Sequence, residues 1–129
     1  MIKSGILNPA LLALIARIRH TNTLVIADRG FPFWPQIETV DLSLIDGVPT
    51  VNQVLDALAP NFVIGRVYAA TEFRLHNSAK VQKSLAARLG NIPLVYEPHL
   101  KFKRRVPDAI GLIRTGDTIP YSNLILESA

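Results

Sequence analysis

Short apolar runs rich in β-branched residues alternate along this chain with segments whose apolar residues recur at helical spacing, and that alternation restricts the fold most. Asn8-Pro9 opens the first helix: asparagine accepts from the free amides of a first turn, and proline there lacks the donor that would go unpaired. Leu11, Leu12, Leu14, Ile15 and Ile18 form the apolar stripe, and the helix is expected to stop near Arg19 with His20 at or just beyond its end. Residues 23–28, TLVIAD, then read as a buried strand closing at Asp28, ahead of Arg29 and Gly30. With two prolines so close, FPFWP at 31–35 has to be a loop, and it carries the only tryptophan, Trp34. Residues 40–44 fit strand or loop equally well. Helices are expected over 50–58, stopped by Pro60, over 78–89, stopped by Gly90, and over 99–106. Strands are expected over 62–69, 92–96, 109–114 and 123–126, with a turn at Gly116-Asp117. The pattern defines an α/β fold, a single-layer and largely parallel sheet flanked by helices. With no linker or repeat in sight, residues 1–129 suit one domain.

Composition removes several function classes. The chain has no cysteine, so disulfides, thiolate metal sites and a cysteine nucleophile are excluded. The apolar N-terminal stretch is interrupted by Arg17 and Arg19 and lacks a small-residue cleavage pattern, which argues against a secretory signal. No uninterrupted apolar run approaches the roughly 18 residues a membrane span needs, so a cytoplasmic location is expected. Fourteen Lys and Arg against ten Asp and Glu give a net charge of +4, which by itself could suit a nucleic acid or phosphate partner. The densest basic stretch, Lys101 to Arg105, is interrupted by Phe102 and reads more simply as the wet face of a short amphipathic helix.

Three histidines are present, and His20 and His99 sit at element junctions. Asp28 closes a strand, at the end where open α/β sheets bind ligands. His20 and Asp28, joined by one strand, could meet at one sheet edge as an acid–base pair. The same two residues could as simply bond a helix-terminal carbonyl and start a turn. No two histidines stand four apart, no glycine-rich loop could cradle phosphate, and no serine sits in a nucleophile elbow, so no metal or nucleotide is expected.

Three segments, in order, then carry a resemblance that spans nearly the whole chain: KSGILNPALLALIARIRHTNTLVIADRGFP, IETVDLSLIDGVPTVNQVLDAL, and YEPHLKFKRR followed by AIGLIRTGDTIPYSNLIL. Together they resemble the D-ribose pyranase / L-fucose mutarotase family, and its ribose pyranase branch in particular. The resemblance implies the fold of that family and a cofactor-free, metal-free isomerase that interconverts ring forms or anomers of a ribose-like or fucose-like monosaccharide. It implies His20 as the principal acid–base group, and Asp28, His99, Tyr121 and Asn123 as substrate-binding residues. It further implies a homo-oligomer, a decameric ring with each site near a subunit interface. Chemically the set is apt, because a sugar needs donors and acceptors of several geometries and ring opening needs a proton taken and a proton given.

Two departures bear on specificity. Arg29 follows Asp28 where the ribose branch has small residues, and either favours an acidic or phosphorylated sugar or forms a salt bridge to a neighbouring subunit. Trp34, in a bulkier loop than the ribose pattern, either stacks on a sugar face or packs in a core or interface. His76 is expected to be structural or at an interface. The alternatives to the enzyme are a sugar-binding relative tied to uptake and, more remotely, a basic nucleic-acid-binding module.

Overall fold

The computed structural model describes residues 1–129. Six strands, β1 (Thr23–Ala27), β2 (Glu38–Asp41), β3 (Ile64–Ala70), β4 (Leu94–Glu97), β5 (Gly111–Arg114) and β6 (Leu124–Ser128), form one sheet in the order β2-β5-β1-β6-β3-β4. Five strands run in one direction, and β6 lies antiparallel between β1 and β3. The reversal follows from chain length. The connection from β5 to β6, residues 115–123, contains no helix and is too short for the crossover that a parallel return requires.

Helices α1 (Pro9–Ile15), α2 (Val51–Leu58), α3 (Thr71–His76) and α4 (Ala79–Leu89) contribute buried residues to one core, and α5 (His99–Arg105) contributes to a second. Alternation along β1 separates the two faces: Leu24 and Ile26 join Leu14, Leu55 and Phe73, whereas Val25 and Ala27 join Phe31, Phe102 and Val106. Burial on both faces is why the strand reads as a continuous apolar run rather than an alternating one.

Helix starts follow the expected chemistry. Asn8 Oδ1 accepts from the Leu11 amide at 2.9 Å, Thr50 and Gln53 form a reciprocal capping box, and Ser78 caps α4, which ends at Gly90 with φ of +55°. The end of α1 differs from expectation: the helix stops at Ile15, not near Arg19. The amides of Arg17 and Ile18 bond three residues back, to Leu14 and Ile15, which tightens the last turn. The Arg19 guanidinium then takes the carbonyls of Ala16 and Ile18. His20 therefore lies in the exposed link to β1 rather than on a helix terminus. Of the ambiguous segment 40–44, residues 40 and 41 close β2 and 42–44 lie outside any strand; α3 was not expected at all.

No helix is long and apolar enough to cross a membrane. Gly116, in the β5–β6 connection, packs against the 44–48 loop so closely that a Cβ would meet the Ile45 and Val48 carbonyl oxygens at 2.3 and 2.6 Å. Backbone cannot yield there as a flexible side chain would. Gly116→Ala is expected to lower unfolding stability by about 2–3 kcal/mol, measured by urea denaturation; an unchanged midpoint would show that the 44–48 loop moves aside freely.

Candidate functional site

The site forms where the five parallel strands end, because residues 115–123 must pass over the tip of β1 to reach β6 on its far side. The passage is bound to that tip by hydrogen bonds. Thr115 gives its amide and hydroxyl to the Ala27 carbonyl at 2.9 and 2.8 Å, the Arg29 amide donates to the Asp117 carbonyl at 3.1 Å, and the Asp28 amide donates to Asn123 Oδ1 at 2.7 Å. Asp117 is buried, and its two carboxylate oxygens accept the amides of Val51, at the start of α2, and Ile119.

Asp28 is half-buried at the foot of this passage, with Oδ1 accepting the Gly30 amide at 3.0 Å. Burial raises its pKa above the ordinary 3.8; hydrogen bonds from Gly30, Asn123 and Phe31 pull it down, and the nearby Asp117 charge adds to the rise. His99, at the first position of α5, lies near enough to feel the Asp28 charge. Burial lowers the His99 pKa below 6.5, assisted by Lys103 and opposed by Glu72 and Asp28. Its imidazole is thus neutral at pH 7, able to accept a proton. His99 Nδ1 is sealed from solvent without a partner, which leaves Nε2 as the nitrogen for a ligand. The Tyr121 ring meets His99 edge-on at 5.1 Å and stacks on His76 at 5.3 Å.

Asp28, His99, Tyr121 and Asn123 are therefore brought to one edge. Asn123 is only 2% exposed, and its Oδ1 accepts the Asp28 amide, which holds the aspartate in place. His20 is not brought there. It precedes β1 and Asp28 follows it, and five strand residues at about 3.3 Å each separate them by some ~15 Å or more. The expected meeting of His20 and Asp28 at one sheet edge is thus overturned within a single chain: a strand carries its flanking residues to opposite edges. Around His20, the Thr21 amide bonds the Ser128 carbonyl and the Ser128 amide bonds the Asn22 carbonyl, both at the far end of β6.

Arg29 Nη1 bonds both carboxylate oxygens of Asp46 in its own chain, at 2.7 and 2.9 Å. Trp34 is half-buried against the Phe31–Phe102 core, and its ring nitrogen is buried without a partner. His76 is exposed, and its packing on Tyr121 went unforeseen, as did Asp117, seen in the sequence only as part of a turn. No three His, Asp or Glu side chains converge as a metal site would require.

A cleft of about 150 Å³ lined by Asp28, Arg29, Gly30 and residues 117–120 adjoins the site. A larger trough of about 500 Å³ runs along β2 and β5 between Phe33, Thr39 and Leu112, but its two arginines, Arg29 and Arg114, are already paired with Asp46 and Asp41.

A sheet of this order with a half-buried carboxylate, two imidazoles and a phenol at its carboxyl edge defines an α/β protein with a small polar ligand site. The chain belongs to the RbsD / FucU transport protein family, whose model matches residues 1–129. It is 41% identical over 128 residues to a D-ribose pyranase of Geobacillus kaustophilus, covering 99% of this chain and 93% of that one. A D-ribose pyranase of Laribacter hongkongensis is 37% identical, with 99% and 97% covered. The solved structure of Bacillus subtilis RbsD complexed with D-ribose superposes with a TM-score of 0.93 at 36% identity, covering 100% and 98%. A fucose mutarotase from Streptococcus pneumoniae, at 20% identity and a TM-score of 0.80 over 95% and 92%, shares the fold.

The raised Asp28 pKa has a consequence for stability. A carboxyl that holds its proton more tightly when folded contributes stability below the ordinary pKa of 3.8, and that contribution is lost as pH rises through the raised value. Asp28→Asn removes the buried charge and is expected to raise Tm at pH 7 by a few degrees, with the advantage fading as pH falls to 4. A lower Tm at pH 7 would mean that the bonds from Gly30 and Asn123 outweigh burial.

Proposed function

We propose that this chain is a cytoplasmic, cofactor-independent isomerase that interconverts the ring forms of D-ribose. The observation that carries this reading is the convergence of Asp28, His99 and Tyr121 at one sheet edge in a chain 41% identical over 128 residues to a D-ribose pyranase. Sugar binding at this fold is further supported by the related Bacillus subtilis protein, whose structure contains D-ribose.

Opening a cyclic hemiacetal removes the proton of the anomeric hydroxyl and delivers one to the ring oxygen; closure through another hydroxyl gives the other ring size. No electrons leave the sugar, so acid–base groups suffice. Asp28, anchored by Asn123 and Gly30, accepts from sugar hydroxyls, and Tyr121 donates to or accepts from another. His99 Nε2, neutral at pH 7, is the second proton acceptor at this edge. His20 is the principal acid–base group, and it reaches the sugar from a second copy of the chain. Two observations favour that placement: His20 stands at the opposite edge from Asp28, and the 150 Å³ cleft is smaller than the roughly 300–1,000 Å³ usual for a complete small-molecule site. A closed homo-oligomeric ring, a decamer, would repeat this contact at every interface. Arg29, neutralised by Asp46, suits a neutral sugar better than a phosphorylated one.

Saturation-transfer NMR on the anomeric protons of ribose is expected to show exchange with the intact protein, and His20→Ala is expected to slow it about 10²–10⁴-fold. No exchange from folded protein would leave a sugar-binding protein without catalysis as the reading. Co-expressed His20→Ala and Asp28→Ala chains, each inactive alone, are expected to regain about a quarter of the activity, since random assembly gives that share of interfaces both native groups. No recovery in mixed oligomers would place both residues in one chain's site or remove His20 from it.

A further inference from the structure

Helix α3, six residues long and absent from the expectations, touches the site at three points. The Glu72 carboxylate accepts the backbone amide of His99 with both oxygens, at 3.1 and 3.0 Å. Pro98, which precedes α5, provides no side-chain cap, so Glu72 does that work from another element. At the other end, the His76 imidazole lies nearly parallel to the Tyr121 ring, 24° between planes and 5.3 Å between centres. Asn77, the residue after α3, donates through Nδ2 to the Pro120 carbonyl at 2.9 Å and to the Phe73 carbonyl at 2.9 Å. The helix is itself fixed by Phe73, buried in the core.

Both clients of α3 need holding. Tyr121 has φ of +55°, in the left-handed region that side chains other than glycine adopt reluctantly, so its ring direction depends on its neighbours. It is flanked by two imidazoles, His76 face-on and His99 edge-on at 81°. The His99 ring is carried on the first residue of a seven-residue helix, where a small rotation of the helix start would redirect the ring. Side chains that must meet a sugar gain most when their directions are set before it arrives.

We propose that α3 is the positioning element of the sugar site, with Glu72 fixing His99 through its backbone amide and His76 fixing the ring of Tyr121. This rests on the assignment of His99 and Tyr121 to the sugar under Proposed function. Neither Glu72 nor His76 has to touch the substrate: both act through another residue. Stacking, not an imidazole nitrogen, is what His76 supplies, and an acceptor oxygen is what Glu72 supplies.

The test measures kcat and KM for ribose ring exchange by NMR in the full chain, with thermal melting to confirm folding. His76→Ala is expected to raise KM about tenfold with a smaller change in kcat, and Glu72→Ala to lower kcat about tenfold. His76→Phe, which keeps a flat ring, and Glu72→Gln, which keeps an acceptor, are expected to stay within about threefold of the native protein. His76→Ala added to Tyr121→Ala is expected to cost nothing further, because its effect passes through that ring. Native kcat and KM in His76→Ala and Glu72→Ala, beside large losses in His99→Ala and Tyr121→Ala, would overturn the inference and leave the site standing. Native kinetics in His99→Ala and Tyr121→Ala would overturn both. A loss in His76→Phe equal to that in His76→Ala would assign His76 a contact through nitrogen and overturn the positioning role, as would full additivity with Tyr121→Ala.

Discussion

The passage of residues 115–123 over the carboxyl end of β1 organises this molecule. It exists because β5 and β6 flank β1 and the connection holds no helix, so the chain has to cross the strand's tip directly. A crossing segment brings polar backbone over an apolar strand end, where unpaired groups are costly. Thr115, Asp117 and Asn123 resolve this by bonding the backbone of residues 27–29 and of α2. The same bonds fix Asp28 and deliver Tyr121 beside His99. Structural necessity and the ligand site are thus one set of contacts.

Electrostatics at this edge are local despite the basic composition. Arg29 is matched by Asp46, Arg114 by Asp41, and Arg105 by the buried Glu97, which also draws Lys101. Two of the four cations on α5, Lys101 and Arg105, answer one buried carboxylate, with Phe102 carrying the helix's burial. Beside these pairs stand half-buried Asp28, whose proton is held more tightly than usual, and His99, whose proton is held less tightly. Burial is the largest cause of both displacements, since it disfavours the charged form of each group.

Much of the fold was legible because local chemistry and tertiary burial agree. TLVIA is apolar at every position since both faces of β1 are covered, and the starts of α1, α2 and α4 carry side chains that cap them. Two kinds of feature were hidden. Short elements lack a period to detect: α3 buries only Phe73, and its role is set by contacts with residues more than twenty positions away. Spatial order was the other. Adjacency of His20 and Asp28 in sequence suggested proximity, whereas an extended strand between two residues is the most efficient way to part them. Asp28, His99, Tyr121 and Asn123, distant in sequence, were gathered instead by resemblance to a family, and the crossing connection supplies the physical reason.

The position of β6 also shapes how the chain comes into being. Residues 124–128 supply a central strand, paired to β1 and β3, and follow the other five strands in sequence. Until β6 is in place, β1 with its β2–β5 neighbours and β3 with β4 are two half-sheets, each presenting a bare inner edge to solvent. Insertion of one five-residue strand therefore changes two fragments with sticky inner edges into one continuous sheet.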